Sequence, residues 1–290
     1  MTAFYIIIVG SLVALNGAML GSVLLLRRMS MICDAIVHAI LPGLVIAYLF
    51  TSSRGSLAMT FGAISSGIVA ATLVEFSQQK FQITREAAIG ITFTTLFSIG
   101  IILLALFAGQ VELDQDCVLF GELAYVPLDL WITDEGLNLG PHSMWSLAFL
   151  TIGVITYVVV GFRPLVLCAF DKEFAKLQGI KVQLWHYSLM LMLSLAAVTS
   201  FHAVGAIMVM GFFILPPATA FLFVSNVRSL MLVSCSIGML CVISGYFLAQ
   251  YMNVSIAGCI ITLNGVVFFA ALSNRLYLKL NPSRSIDRTI

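Results

Sequence analysis

Asp34 and His38 stand four residues apart in the stretch Ser30 to Gly43, SMICDAIVHAILPG, which opens a long apolar run. On a helix that spacing puts both side chains on one face, about one turn and roughly 6 Å apart, so a carboxylate and an imidazole can grip one ion together. An acid in hydrocarbon is costly, at least ~2.5 kcal/mol for a central Asp on insertion scales, so its presence there points to function. Mixed oxygen and nitrogen donors suit Zn(II), Mn(II) and Fe(II) without choosing among them. One chain supplies only two donors and one negative charge, too few for a closed site. Two copies facing each other across a two-fold axis would supply two carboxylates and two imidazoles, and would neutralise a dication at its point of greatest desolvation. A dimer with the ion on its axis is therefore expected. The competing reading is a structural hydrogen-bonded pair between helices.

The chain around this pair is built for a bilayer. Its 290 residues are 61% hydrophobic and only 9% charged, with a mean hydropathy of +1.08, which excludes a soluble globular domain. The expected fold is all-α, a polytopic transmembrane bundle of eight or nine spans, some broken or re-entrant. Residues 1–280 form one transmembrane domain in this reading, and 281–290 form a disordered tail. A net charge of +1 carries no message about nucleic acid, and the partner implied by composition is the lipid bilayer. Six cysteines without C-x-x-C spacing read as small buried hydrophobes.

Nine apolar runs are long enough to cross or nearly cross a membrane. The first, Ala3 to Leu26, carries Gly10, Ala14 and Ala18, with Gly17 and Gly21 beside them, a stripe suited to close helix contact. It is read as a mature spanning helix rather than a cleaved leader. Arg27 and Arg28 follow and mark a cytoplasmic edge. The second run, Met31 to Phe50, holds the pair, and Ala35, Ala39, Gly43 and Ala47 let another helix approach beside it. Counted as continuous helix from Arg28, Asp34 lies ~9 Å and His38 ~15 Å into the membrane, near the midplane. Pro42 removes a backbone hydrogen bond one turn beyond His38.

The third and fourth runs are Ser56 to Val74 and Ala87 to Gly109. Gln110 to His142 then carries seven acidic residues and no Lys or Arg, so it is placed outside, with Asp114, Asp116 and Glu122 as candidates for a cation-attracting outer mouth. An acidic external loop is also an ordinary consequence of topology. After the fifth run, Met144 to Phe162, a basic segment contains DKEFAKLQGI, Asp171 to Ile180, which reads as a short amphipathic helix stopped at Gly179. The sixth run, Tyr187 to Phe201, is short, and Ala203 to Ser225 is interrupted by Gly205, Gly211 and Pro216-Pro217. Such a pattern marks discontinuous helix lining a cavity. His202 between them reads as an interfacial residue. The last two runs are Ser229 to Gln250 and Val254 to Ser273. With the N-terminus outside and the C-terminus cytoplasmic, every basic cluster falls on one side, Arg54 alone excepted.

Transport needs an energy source. The chain has no G-x-x-x-x-G-K-[ST] phosphate loop and no further buried acidic relay, so either a separate ATPase docks on it or it works passively as a stand-alone ion-coupled or facilitative carrier. An intramembrane metalloenzyme lacks support, because H-E-x-x-H is missing.

Taken together, DAIVHAILPG, the DQDCVLFGE segment from Asp114 to Glu122, DKEFAKLQGI and VGAIMVMGFFILPPATA from Val204 to Ala220 resemble the membrane permease of bacterial zinc/manganese/iron ABC importers. The likeness runs over nearly the whole chain, in order. It implies a type II importer-like permease without enzymatic activity of its own, sitting in the bacterial cytoplasmic membrane as a homodimer or beside a related paralogue. ABC ATPase subunits and an extracytoplasmic metal-binding protein would complete the system. It implies no permanent cofactor, only a transported Mn, Zn or Fe ion. Asp34 and His38 match the family's metal pair. Asp171, Glu173, Ala175 and Gly179 resemble part of the loop that meets the ATPase, and the segment from Pro216 and Pro217 to Arg228 is an equal candidate.

Overall fold

A computed structural model describes residues 2–51, 56–107, 123–128, 130–132 and 138–280. Asp114, Asp116, Glu122, Arg54 and the tail from 281 to 290 lie outside the described residues. The helices are α1 (Thr2–Leu26), α2 (Ile32–Thr51), α3 (Ser56–Phe81), α4 (Arg85–Phe107), α5 (His142–Val160), α6 (Phe162–Phe170), α7 (Lys172–Leu177), α8 (Val182–Val204), α9 (Ala206–Phe221), α10 (Val227–Met252) and α11 (Ile256–Leu280). A 3-10 turn at Leu123–Leu128 and a short antiparallel pair, β1 (Leu130–Ile132) with β2 (Asn138–Pro141), lie between α4 and α5.

Among the described residues, α1 to α5, α8, α10 and α11 are long and apolar enough to cross a membrane, and α9 is a shorter apolar helix of 16 residues. The expected bundle of eight or nine spans is therefore observed. In lipid the hydrophobic effect does not press helices together, so close packing at small residues and polar contacts must do it. The α1 stripe works this way. Gly10 faces Val242 of α10, while Gly17 and Gly21 lie against Phe212 and Phe213 of α9, where a Cβ at Gly21 would collide with the Phe213 carbonyl. Asn16 Nδ2 donates to Thr151 Oγ1 at 3.0 Å, tying α1 to α5 in the buried centre.

Three expectations need correction. The sixth run is not short: α8 begins at Val182 and has 23 residues, because polar Gln183 and His186 are drawn into its first turns and hid the span from a hydropathy reading. The interruption that follows is one residue. Gly205, at φ 79° and ψ 169°, closes α8 through its N–H to Phe201 O and opens α9 with its own carbonyl, whereas Pro216 and Pro217 lie inside α9. The third run, expected to end at Val74, extends as helix to Phe81 and takes in Gln78, Gln79 and Lys80.

Candidate metal centre

Asp34 and His38 lie on α2, where their local spacing brings them together: His38 Nε2 is 3.3 Å from Asp34 Oδ1. Asp34 falls in the first turn of α2, where a carboxylate is favoured by the helix dipole. The His38 ring is held between Phe93 and Phe97 of α4, with centroids 4.6 and 5.2 Å away. The imidazole side chain is 14% exposed and the carboxylate 39% exposed, so the pair is clamped on one side and open on the other. Cys33, beside it in sequence, is fully buried elsewhere on the helix.

Depth differs from the sequence count. α1 ends at Leu26, residues 27–31 form a turn in which Arg28 takes φ 55°, and α2 starts at Ile32. Asp34 is thus only ~3 Å along α2, close to its start, and His38 ~9 Å along it, short of the helix middle. A turn separates α1 from α2 here, whereas the count assumed continuous helix.

The small-residue stripe of α2 is used within the chain. A Cβ at Gly43 would strike the Gly62 carbonyl of α3, a Cβ at Gly62 would come within 2.5 Å of Ala47 Cβ, and Ser66 Oγ donates to Ala39 O. Pro42 packs against α4, where a Cβ added at Gly100 would meet its Cδ at 2.8 Å. Because proline has no amide N–H, the His38 carbonyl four residues earlier lacks its usual helical donor. Among the described residues, no group of three or more His, Cys, Asp or Glu side chains gathers to hold a metal. A single chain offers half a site: one carboxylate and one imidazole with an open side.

A second acid–imidazole contact escaped the sequence reading. Glu75 Oε2 of α3 lies 3.1 Å from His186 Nε2 of α8, with both side chains largely covered. Each residue borders an apolar run, and nothing local links them; only the packing of α3 on α8 brings them together.

The candidates for ATPase contact separate into two kinds. Asp171 caps α7, accepting from the N–H groups of Glu173 and Phe174 at 3.0 Å. Glu173 is exposed and pairs with Lys176 at 2.8 Å, and Gly179 takes φ 76° to end the turn. Ala175 has no exposed surface and faces the bundle. Phe170, Phe174 and Leu177 form the exposed apolar side expected of this segment. Pro216 and Pro217 are buried, with Pro216 against α10 near Gly238, whereas Arg228 is exposed and lies over the Phe162 ring. His202 is exposed on the last turn of α8.

Residues 2–275 match the model of the ABC 3 transport family. The chain is 39% identical over 267 residues to the manganese transport system membrane protein MntD of Bacillus subtilis, covering 92% of this chain and 90% of that one. It is 33% identical over 263 residues to the zinc transport system membrane protein TroD of Treponema pallidum, covering 91% and 71%. Among solved structures, PsaBC from Streptococcus pneumoniae in complex with Fab superposes with a TM-score of 0.77 at 27% identity, over 95% of this chain and 94% of that chain. An inward-facing metal-chelate type ABC transporter shares the fold with a TM-score of 0.65 at 15% identity, over 93% and 85%.

Proposed function

The chain belongs to the ABC 3 transport family, and from that premise we propose that it is the membrane-spanning permease of an ATP-driven importer of a divalent transition metal. The cargo is manganese or zinc, as the names of its relatives suggest, with iron compatible with the donors. An extracytoplasmic binding protein delivers the ion, two permease copies or a permease and a paralogue hold it between their Asp34–His38 pairs, and ATPase subunits on the cytoplasmic face drive its release. The observation that carries this reading is the half-site itself. A carboxylate and an imidazole 3.3 Å apart on a membrane helix are clamped by Phe93 and Phe97 and left open on one side.

The chain lies in the bacterial cytoplasmic membrane with its N-terminus outside. Supporting that orientation, basic residues from distant segments meet at one end of the bundle. Arg85 Nη1 reaches Arg27 O at 3.4 Å, and Arg27 shares a cavity with Lys172, Lys176 and Lys181. Tyr5 at the other end of α1 lies against Gly140 of β2. Residues 1–280 act as one permease domain, and ATPase contact is assigned to the exposed face of α7 and to Arg228.

Reconstitution tests the reading. The permease and its ATPase in proteoliposomes should take up Mn(II) or Zn(II) only with ATP, and metal analysis of the purified complex should find the ion lost in Asp34→Asn. Equal uptake by the permease alone, without ATPase or nucleotide, would replace the importer with a facilitative carrier.

A further inference from the structure

At the basic end of the bundle, Arg27 just after α1 and residues of α3, α6, α7 and α8 enclose a half-open cavity of about 680 Å³. Arg27, Lys172, Lys176 and Lys181 line it, and the one carboxylate among the described residues that line it, Glu75, is already engaged by His186. Lys176 also reaches outward to Glu173, which leaves the cavity with an excess of positive charge. The Nε and Nη2 atoms of Arg27 are buried without a hydrogen-bond partner. An orphaned guanidinium is expensive, and its two N–H groups form the fork that fits a phosphate or carboxylate. Burial also pushes the Arg27 pKa down from its usual value, a penalty that a bound anion would relieve. The first turn of α8 starts in the cavity wall with no side-chain cap at Lys181, so backbone N–H groups add to the positive field. A cation would be repelled here, which separates this Glu–His pair from the one on α2.

We propose that this cavity is a binding site for a phosphate-bearing anion, with Arg27 as the inner ligand and Lys172 and Lys181 as the outer ones. The position favours the headgroup of an anionic phospholipid as the source. Arg27 directly follows the α1 span, Glu75 lies in the last turns of the α3 span, and His186 in the first turns of the α8 span, so the cavity sits at headgroup level. Leu184, exposed at its rim, offers an apolar track for an acyl chain. Basic pockets between membrane helices bind acidic headgroups by this chemistry. The inference stands whichever metal is carried.

The test uses the purified full-length permease in phosphatidylcholine nanodiscs in phosphate-free buffer. Phosphatidylglycerol is added to the bilayer in one arm and inorganic phosphate to the buffer in the other, with melting and native mass spectrometry as readouts. Phosphatidylglycerol should raise the melting temperature and remain bound in the gas phase. Arg27→Gln and Lys181→Gln should each weaken that retention about fivefold, from ~1 kcal/mol per basic residue, while Arg163→Gln, exposed and outside the cavity, should not. Lys181 is exposed on the rim, so its variant keeps the test valid if Arg27→Gln fails to fold. Stabilisation by both additives would show the same site fed from lipid or solution. No effect of either additive on the wild type, or variants that behave like it, would overturn the proposal. So would Lys181→Gln that leaves lipid binding unchanged but, in a separate affinity purification of permease co-expressed with its ATPase, lowers the ATPase recovered, which would give the cavity to an acidic protein side chain.

Discussion

Arg228 holds its guanidinium 5.2 Å from the centre of the Phe162 ring, joining the first turn of α10 to the start of α6. The two segments that the sequence offers for ATPase contact are therefore mechanically connected. α7 packs on α6, Phe162 of α6 meets Arg228, and α10 packs along α1 and α9, so an unbroken series of contacts joins the exposed side of α7 to the bundle.

Leu177, 86% exposed at the end of α7, should be removable without harm to the fold. Leu177→Ser is expected to change stability by no more than about 0.5 kcal/mol and to reduce the ATPase recovered with the permease on affinity purification. Arg228→Ala should cost about 0.5–1 kcal/mol from the lost cation–π contact and lower metal-stimulated ATP hydrolysis in proteoliposomes. Wild-type recovery and hydrolysis in both variants would remove α7 and Arg228 from the coupling path.

Asp34→Asn keeps the shape of the side chain and a hydrogen-bonding oxygen toward His38, but removes the charge that offsets a dication. Metal uptake should fall to the level of empty liposomes, while the melting curve and the permease stoichiometry stay those of the wild type. His38→Gln should behave alike, with a modest extra loss of stability because the ring leaves the clamp of Phe93 and Phe97. Uptake that survives either change would return the pair to a structural role.

The crossing of α2 and α3 has no room to spare. Gly43→Val would drive a branched side chain into the Gly62 carbonyl and Ser66. It should destabilise the purified protein by about 3 kcal/mol or more, at the upper end of overpacking costs because backbone rather than side chain must move. Gly90→Ala is the matched control: a Cβ there meets nothing within 4 Å, and α4 should gain about 0.5–1 kcal/mol from the lower entropy cost of alanine. Thermal melts in one detergent compare the three proteins.

The residues explain which features were readable beforehand. Asp34 and His38 were legible because their relation is local, fixed by four residues of helix. Glu75 and His186 belong to different helices and meet only after α3 packs on α8. Long uncharged runs such as those of α1, α4 and α11 announced themselves, while the start of α8 did not, because Gln183 and His186 lower its hydropathy and find polar surroundings in the cavity. Ala175 and Pro216 sit in segments that the sequence offers for ATPase contact, yet both side chains are buried, and burial depends on packing that the local sequence does not show. The close fit of Gly43 to Gly62 was foreseeable as a need for a neighbouring helix, but not the choice of α3 as that neighbour.

Gly205 bears the whole junction between α8 and α9. Its φ of 79° and ψ of 169° lie in a region that side chains with a Cβ scarcely enter, costing about 1–3 kcal/mol. Neighbouring Val204 and Ala206 are both buried, and the Gly205 N–H and carbonyl are both bonded, so the backbone has no slack to absorb the change. Gly205→Ala should therefore lower stability by that amount, reorient α9 against α1, and reduce uptake, although residue 205 lies far from Asp34 in sequence. Gly153→Ala on α5, where nothing lies within 4 Å, should leave uptake intact and melting no lower than the wild type. If Gly205→Ala melts and transports like the Gly153 variant, the two helices do not depend on this hinge, and the packing of Phe212 and Phe213 against Gly17 and Gly21 alone sets the course of α9.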